Sequence, residues 1–377
     1  MKILIAPDKF KGTLNARDVA ENIAAGLRDV LPGAKIDIAP MADGGEGTAE
    51  VISQALGGSW SSCNAHDPFG REIDGRYGWV ADRKLAIMEM SEAAGMRRLS
   101  TDELDPVRAN TFGVGEMILD AATRGACELI IGLGGSATND GGFGMARALG
   151  FRFFDGEHEL INITDLVKLK RIAPAVAAGV SPAKPAAQPA QLEITAAVDV
   201  RNPLLGPHGA TRVFGPQKGA TPENIEVLER ALKRLADVVA EQFGFDYRNE
   251  PGAGAAGGLG FGLMSYCAAK VRPGFDVVAE AVGLESKMKD VDLVVTGEGS
   301  LDRQTLEGKT PAGVARLARK LGKRVFAIVG RASEDQRVRE IFDGVYQNAR
   351  ADMSEKENMA HTAELLRENA RELAKIL

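Results

Sequence analysis

The chain has 377 residues, too many for one ordinary core, so two domains are the default expectation. Its formal net charge is −6 and 45% of its residues are hydrophobic, which suits a soluble globular protein and gives no electrostatic footprint for nucleic acid or an anionic membrane. Three widely spaced cysteines, Cys63, Cys127 and Cys267, form no CxxC pair and no metal pattern with the four histidines, so a reduced, cytoplasmic compartment is expected.

The opening MKILIAPDKF has too short an apolar run for a signal peptide, and no stretch reaches the apolar length that spans a bilayer. Residues 2–6 read as a buried parallel strand. After a loop from Pro7 to Leu14, Val19, Ile23, Leu27 and Val30 recur at helical spacing, with Asn15 before Asp18 as the cap and Pro32-Gly33 as the stop. A strand at 35–39, a turn at 41–47 and a helix near 48–56 complete a β-loop-α-β-loop-α opening, the pattern of a parallel sheet with right-handed crossovers. Residues 59–90 read as a meander with turns at 67–70 and 81–83, and strands follow at 128–133 and 193–198. Ser181–Gln191, rich in Pro and Ala, reads as an exposed loop. The opening pattern returns late in the chain, with strands at 292–296, 324–329 and 344–347, a helix at 311–321 capped by Thr310, and an amphipathic tail through Met359, Leu366 and Leu373.

These elements predict an α/β protein. A flavodoxin-like parallel sheet of order 2-1-3-4-5 is expected from residues 1–58 and 285–377, with a second α/β domain, 59–284, inserted in it.

Four loops that follow strands carry the candidate chemistry. Asp8-Lys9-Phe10-Lys11-Gly12-Thr13 sits where the first strand ends, the place where open α/β sheets bind ligands. By composition alone it is an ordinary solvated loop, and its position is what points to function. In Met41-Ala42-Asp43-Gly44-Gly45-Glu46-Gly47-Thr48 the glycines let backbone amides crowd a ligand, while Asp43 and Glu46 suit a Mg²⁺ ion, a hydroxyl to be deprotonated, or a helix cap. Gly132-Leu133-Gly134-Gly135-Ser136-Ala137-Thr138-Asn139-Asp140-Gly141-Gly142 is the densest block, and a Gly-Gly-Ser turn at a helix start makes a phosphate cradle. The fourth runs from Thr296 through Gly297-Glu298-Gly299-Ser300 to Glu307-Gly308-Lys309-Thr310; its final GKT is not a P-loop, because the pattern needs Gly where Arg303 stands. A literal GxGxxG at Gly252, Gly254 and Gly257 follows Asn249-Glu250-Pro251 rather than an apolar strand, so it lacks the context of a dinucleotide site. No G-x-S-x-G elbow is present, and His66, His158, His208 and His361 fall in no pattern. Several anion-friendly loops with scattered Asp, Glu and Lys and no nucleophile fit phosphoryl transfer, which needs positioning and charge neutralisation above all.

The blocks APDKFKGTL, MADGGEGT, GLGGSATNDGG, VDVRNPLLGPHGAT and TGEGSLDRQTLEGKTP, in this order, resemble the glycerate kinase type-1 family over essentially the whole chain. The resemblance implies ATP-dependent phosphorylation of D-glycerate with Mg²⁺, to 2-phosphoglycerate or 3-phosphoglycerate, within organic acid catabolism. It also implies the split architecture, and we expect the active site in the cleft between the domains. On loop position we assign Lys11, helped by Lys9, to the transferred phosphate, Asp43 to the substrate hydroxyl with Asp8 and Asp199 as alternative bases, and Asp199 and Glu298 to Mg²⁺. Gly134, Gly135, Ser136, Asn139 and Asp140 are assigned to nucleotide phosphates, and Lys9, Glu46 and Arg71 to the acid substrate. Two other readings stay open: a kinase of another small hydroxy acid, and a two-domain protein that closes on a carboxylate without chemistry. Oligomeric state is open as well, a homodimer being one option.

Overall fold

A computed structural model of the chain describes residues 1–174, 192–303, 305 and 309–377. The loop expected at Ser181–Gln191 and the Glu307-Gly308 pair lie outside the described residues. The rest gathers into two compact units: Met1–Asp43 with Glu50–Leu56 and Phe275–Leu377, and Gly44–Ala49 with Gly57–Gly274.

In the first unit, Lys2–Ile5, Lys35–Ile38, Leu293–Thr296, Arg324–Val329 and Gly344–Gln347 form one parallel sheet. Numbered in chain order they lie 2-1-3-4-5, the expected flavodoxin-like order. Leu293–Thr296 is buried throughout, and Arg324–Val329 at all but its first residue. Central parallel strands are covered by helices on both faces, so they need this continuous apolar run. Lys35–Ile38 lies at the sheet edge and alternates exposed with half-buried residues.

Helix Ala16–Val30, capped by Asn15 accepting from the Asp18 amide, sets Val19, Ala20, Ile23 and Leu27 into the core beside Leu366, Ala370 and Leu373 of helix Thr362–Ala374. Gly26 lets these two helices approach closely: a Cβ there would lie 2.3 Å from the Arg367 carbonyl oxygen and 2.8 Å from Ala370 Cβ. The tail pattern thus resolves into two helices, Glu355–Ala360 and Thr362–Ala374, and the break at His361 leaves Met359 exposed. Thr310 opens helix Thr310–Lys320 but does not cap it; its hydroxyl donates instead to Asp8, 302 residues away.

In the second unit, Ser59–His66, Glu72–Val80 and Leu85–Glu89 run as the expected meander. Glu128–Gly132, Glu193–Val198 and Lys270–Pro273 then join in parallel, giving a six-stranded mixed sheet. The core holds Tyr77, Phe143, Phe151, Phe153 and Tyr266, with apolar side chains of helix Pro222–Phe243 packed in. Helix Ala255–Cys267 begins within the GxGxxG segment, and Lys270–Pro273 follows it as the sixth strand. Ala256, Gly257 and Gly258 within that helix hold left-handed backbone, with φ of 53°, 67° and 89°.

Residues 275–284, expected in the insert, cluster with the first unit. The Phe275 ring lies 2.5 Å from where a side chain on Gly313 would begin, so the two pack directly. Among the described residues no helix is long and apolar enough to cross a membrane.

Gly26→Ala sets two effects against each other. Alanine gains up to about 1 kcal/mol in helix propensity. Forcing a methyl onto the Arg367 carbonyl costs about 1–3 kcal/mol, because backbone cannot give way as a side-chain end can. The overpacking dominates, so the urea midpoint of unfolding falls for Gly26→Ala. Gly33→Ala, with nothing within 4 Å of the added methyl, leaves it unchanged or raises it slightly.

Candidate active site

In the first unit, the strands Lys2–Ile5 and Leu293–Thr296 end side by side, and the loops that follow them are tied together. The Asp8 amide donates to the Gly297 carbonyl at 2.8 Å, and the Thr296 hydroxyl donates to the Ala6 carbonyl at 2.8 Å. Gly297 and Gly330 are needed for packing: a Cβ on Gly297 would lie 2.2 Å from the Ile328 carbonyl oxygen, and one on Gly330 2.3 Å from that of Gly299.

This edge collects carboxylates. Asp8 is 6% exposed; one oxygen accepts from the Lys9 amide at 2.7 Å and the other from the Thr310 hydroxyl at 2.6 Å. Glu298 is 8% exposed and accepts from Thr305 Oγ1 at 2.7 Å. Burial, then the Asp43 charge, pushes the Asp8 carboxyl up to about 7 against the opposing pull of Lys9. Burial pushes Glu298 up to about 8; Thr305 and Lys309 oppose this, and the Asp8 and Asp43 charges add to it. Asp43 itself is half-buried. Lys11 is exposed in the tight turn where Phe10 bridges to Leu14 and Gly12 takes a φ of 80°.

In the second unit the Gly132–Gly142 loop leaves strand Glu128–Gly132 and lies on the Gly44-Gly45 turn. A Cβ on Gly132 would be 2.5 Å from the Gly44 carbonyl oxygen, and one on Gly134 2.6 Å from Gly45 Cα. The same turn is pinned by Glu89, which ends strand Leu85–Glu89, is 8% exposed, and accepts from the amides of Gly47 at 2.9 Å and Ala49 at 3.1 Å. Helix Ser91–Ala94 braces the other side: the Ala137 amide donates to the Ala94 carbonyl and the Met96 amide to the Gly135 carbonyl, each at 2.9 Å. Buried Glu92 fixes that brace through Arg97 and Arg98.

Within the loop, Ser136 Oγ accepts from Lys218 Nζ at 2.7 Å, and Asn139 Nδ2 donates to Thr211 Oγ1 at 2.9 Å. Thr138 Oγ1 and Asn139 Oδ1 are buried without a hydrogen-bond partner. Asp140 is fully buried and takes four donors: the Thr111 amide and hydroxyl and the amides of Gly142 and Gly144. Burial still pushes its carboxyl up. Its carboxylate shapes the loop from inside, where a phosphate would be repelled.

Arg71 is likewise committed, donating to Asp67, Glu103 and the Arg98 carbonyl. Glu46 and Asp199 are exposed, each in a loop after a strand. The Gly252–Gly258 segment is a buttress: a Cβ on Gly257 would be 2.0 Å from the Thr138 carbonyl oxygen, and one on Gly254 2.3 Å from that of Pro203. Among the described residues no three His, Cys, Asp or Glu side chains group as a metal cage.

Comparison with known proteins bears on this arrangement directly. A family model described as the glycerate kinase family matches residues 3–377. The chain belongs to the glycerate kinase family. It is 40% identical to the glycerate kinase of Bacillus subtilis strain 168 over 99% of this chain and 97% of that one. It is also 40% identical to the glycerate 2-kinase of Escherichia coli K12, over 89% and 86% of the respective chains. A crystal structure assigned as glycerate kinase 2 from Salmonella typhimurium LT2 superposes with a TM-score of 0.85 at 38% identity, covering 100% of this chain and 98% of that one.

Several residues that hold these loops are not evident in the sequence. Glu89 and Lys218 act on loops 40 or more residues away, and Glu92 holds its brace through arginines five and six residues on; only the acidic residues at a strand end and the lysine in GPQKGA hint at them. Lys309, the lysine of the GKT run, acts on the Glu298 charge.

The raised carboxyls set a pH dependence. A group whose folded affinity for protons exceeds its unfolded one stabilises the fold below its unfolded pKa, near 4. That contribution is lost as pH rises through about 7 for Asp8 and about 8 for Glu298. Ligand-free protein therefore loses urea resistance between pH 5 and 8.5, by up to about 1.4 kcal/mol per pH unit for each carboxyl in transition. Asp8→Asn with Glu298→Gln flattens that slope.

Proposed function

We propose that this chain transfers the terminal phosphoryl group of ATP to D-glycerate, giving 2-phosphoglycerate or 3-phosphoglycerate. The observation that carries this reading is the set of Asp8, Asp43 and Glu298 at the carboxyl edge of a flavodoxin-like sheet, in a member of the glycerate kinase family. Burial makes Asp8 and Glu298 hold their protons tightly, and the positive charge of Lys9 and Lys309 does not offset it. Such a group is suited to taking a proton from a hydroxyl and to facing a cation.

Asp43 is assigned the substrate hydroxyl. It accepts the proton as the phosphoryl group arrives, with Asp8 beside it as the alternative base. Lys11, with Lys9, meets the transferred phosphoryl oxygens. Gly134, Gly135, Ser136 and Asn139 take the nucleotide phosphates, and the partnerless Thr138 Oγ1 and Asn139 Oδ1 favour a polar occupant there. Glu46 is assigned to the acid substrate. We leave Arg71 and Asp140 out of the ligand contacts, since the hydrogen bonds above already engage both.

The donor set fits Mg²⁺. Asp8 and Glu298 offer hard oxygen atoms, and the ion commonly needs only one or two protein carboxylates besides water and phosphate oxygens. Glu298 would hold it, with Asp199 as a second candidate, and the ion would supply neutralisation of developing phosphate charge.

Folded protein with D-glycerate, ATP and Mg²⁺ is expected to release ADP, and enolase added alone consumes the product if it is 2-phosphoglycerate. Absence of ADP above background overturns the reading, and turnover only with a different hydroxy acid replaces its substrate. Asp43→Asn lowers kcat on the order of a hundredfold or more while the fold is kept, since Asn caps a helix about as well as Asp. Near-normal kcat in that variant moves the base to Asp8 or Asp199.

A further inference from the structure

An ammonium group lies buried behind the Gly134–Asn139 loop. Lys218 ends the short helical turn Pro216–Lys218 and is 1% exposed. Its Nζ donates to Ser136 Oγ and to the Thr138 carbonyl, both at 2.7 Å. Its third N–H has no partner among the described residues, and no carboxylate among them lies within ion-pair distance of it. Asp140 is the charge that acts on it, and the Thr111, Gly142 and Gly144 donors already occupy that carboxylate.

Burying an ammonium without a carboxylate pair is costly, and apolar residues of the same volume would fill the space at no such cost. The pairing also sets polarity. A Ser136 oxygen that accepts from Lys218 has its own O–H left to donate, and the Thr138 carbonyl is drawn toward Lys218. A donor hydroxyl polarised by a cation suits an anionic oxygen.

We propose that Lys218 is a positioning residue that makes the Ser136 hydroxyl a charge-assisted donor to a phosphate oxygen of a nucleoside triphosphate. The proposal rests on the reading that this loop takes the nucleotide phosphates. Burial pulls the Lys218 amine down to about 7, with Asp140 opposing. The charge therefore leaves as pH rises through neutrality. Behind Asp140, burial holds the Tyr266 and Cys267 protons in place, with Cys267 pushed up to about 12, so neither titrates in that range.

The test is steady-state kinetics with D-glycerate, ATP and Mg²⁺ on the wild type, Lys218→Met, Ser136→Ala and the double variant. Each single variant should raise KM for ATP on the order of tenfold, the scale of one charged hydrogen bond, with KM for D-glycerate unmoved. The double variant should be no worse than either single one, because the lysine acts through the serine. Glu298 and Asp8 also titrate near this range, so the readout is the ratio of KM for ATP between wild type and Lys218→Met: the wild-type advantage should shrink between pH 7 and 9, a change that loop packing alone would not produce. A Ser136→Ala effect without a Lys218→Met effect overturns the proposal and leaves the loop reading standing. No effect from either variant, or an effect on D-glycerate instead, overturns the loop reading and the proposal with it. Should Lys218→Met fail to fold, the same pH dependence of KM for ATP over pH 7–9 in wild type and Ser136→Ala overturns the proposal, because the lysine is assigned to act through that serine.

Discussion

Backbone meets backbone along the glycine-rich loops of this protein. A side chain at Gly132 would begin 2.5 Å from the Gly44 carbonyl oxygen, one at Gly257 2.0 Å from that of Thr138, and one at Gly262 2.7 Å from that of Gly141. Loops that stack this closely cannot carry side chains at their contacts. They present amides and small polar groups, and each loop is held by its neighbours more than by its own sequence. That explains the dense glycine blocks at 132–142 and 252–262, where each glycine is costly in chain entropy. It also explains the run Ala256-Gly257-Gly258: only left-handed backbone brings that segment against Thr138, and a non-glycine residue tolerates it where packing over-determines it.

Bare backbone loops need anchors, and here the anchors are buried charges. Glu89 fixes the Gly47 and Ala49 amides, Asp140 gathers four donors, and Glu92 joins two arginines to the brace beside Gly135. Each is a carboxylate satisfied by several hydrogen bonds, the condition under which burying a charge is tolerable. Asp8, Glu298 and Lys218 are less fully satisfied. Among the described residues Asp8 and Lys218 have two hydrogen-bond contacts each and Glu298 one, against four for Asp140, and burial shifts all three toward their neutral forms.

The contrast between what was legible in the sequence and what was not follows from range. Apolar runs such as KILI and RVFAIV declare central strands, because burial on both faces leaves no polar position in them. Their alternation with helical segments declares parallel pairing, and the 2-1-3-4-5 order followed. The Asn15 cap was legible because it spans three residues. Thr310 was misread as a cap because its partner, Asp8, lies 302 residues away. Lys218 was invisible for the same reason: nothing local marks a lysine as buried. Asp140 and Arg71 show the converse: charged residues in promising motifs that the fold surrounds with partners of their own.

Shifted groups of this kind are a cost in the ligand-free protein. Total stability of an ordinary domain is about 5–15 kcal/mol, and one uncompensated buried ion removes several of these. Substitutions that relieve the cost are single steps: Asp8→Asn, Glu298→Gln, Lys218→Met. Mutation supplies them readily, and most sites that do not touch ligand accept them. A chain that keeps two acids with raised proton affinity and one base with lowered affinity carries strain whose release must come from elsewhere. The signs say what would release it: positive charge at Asp8 and Glu298, negative charge beyond Ser136. The two demands differ in sign, so a lone carboxylate ligand meets at most one of them, which favours the phosphoryl-transfer reading proposed above over a simple carboxylate binder.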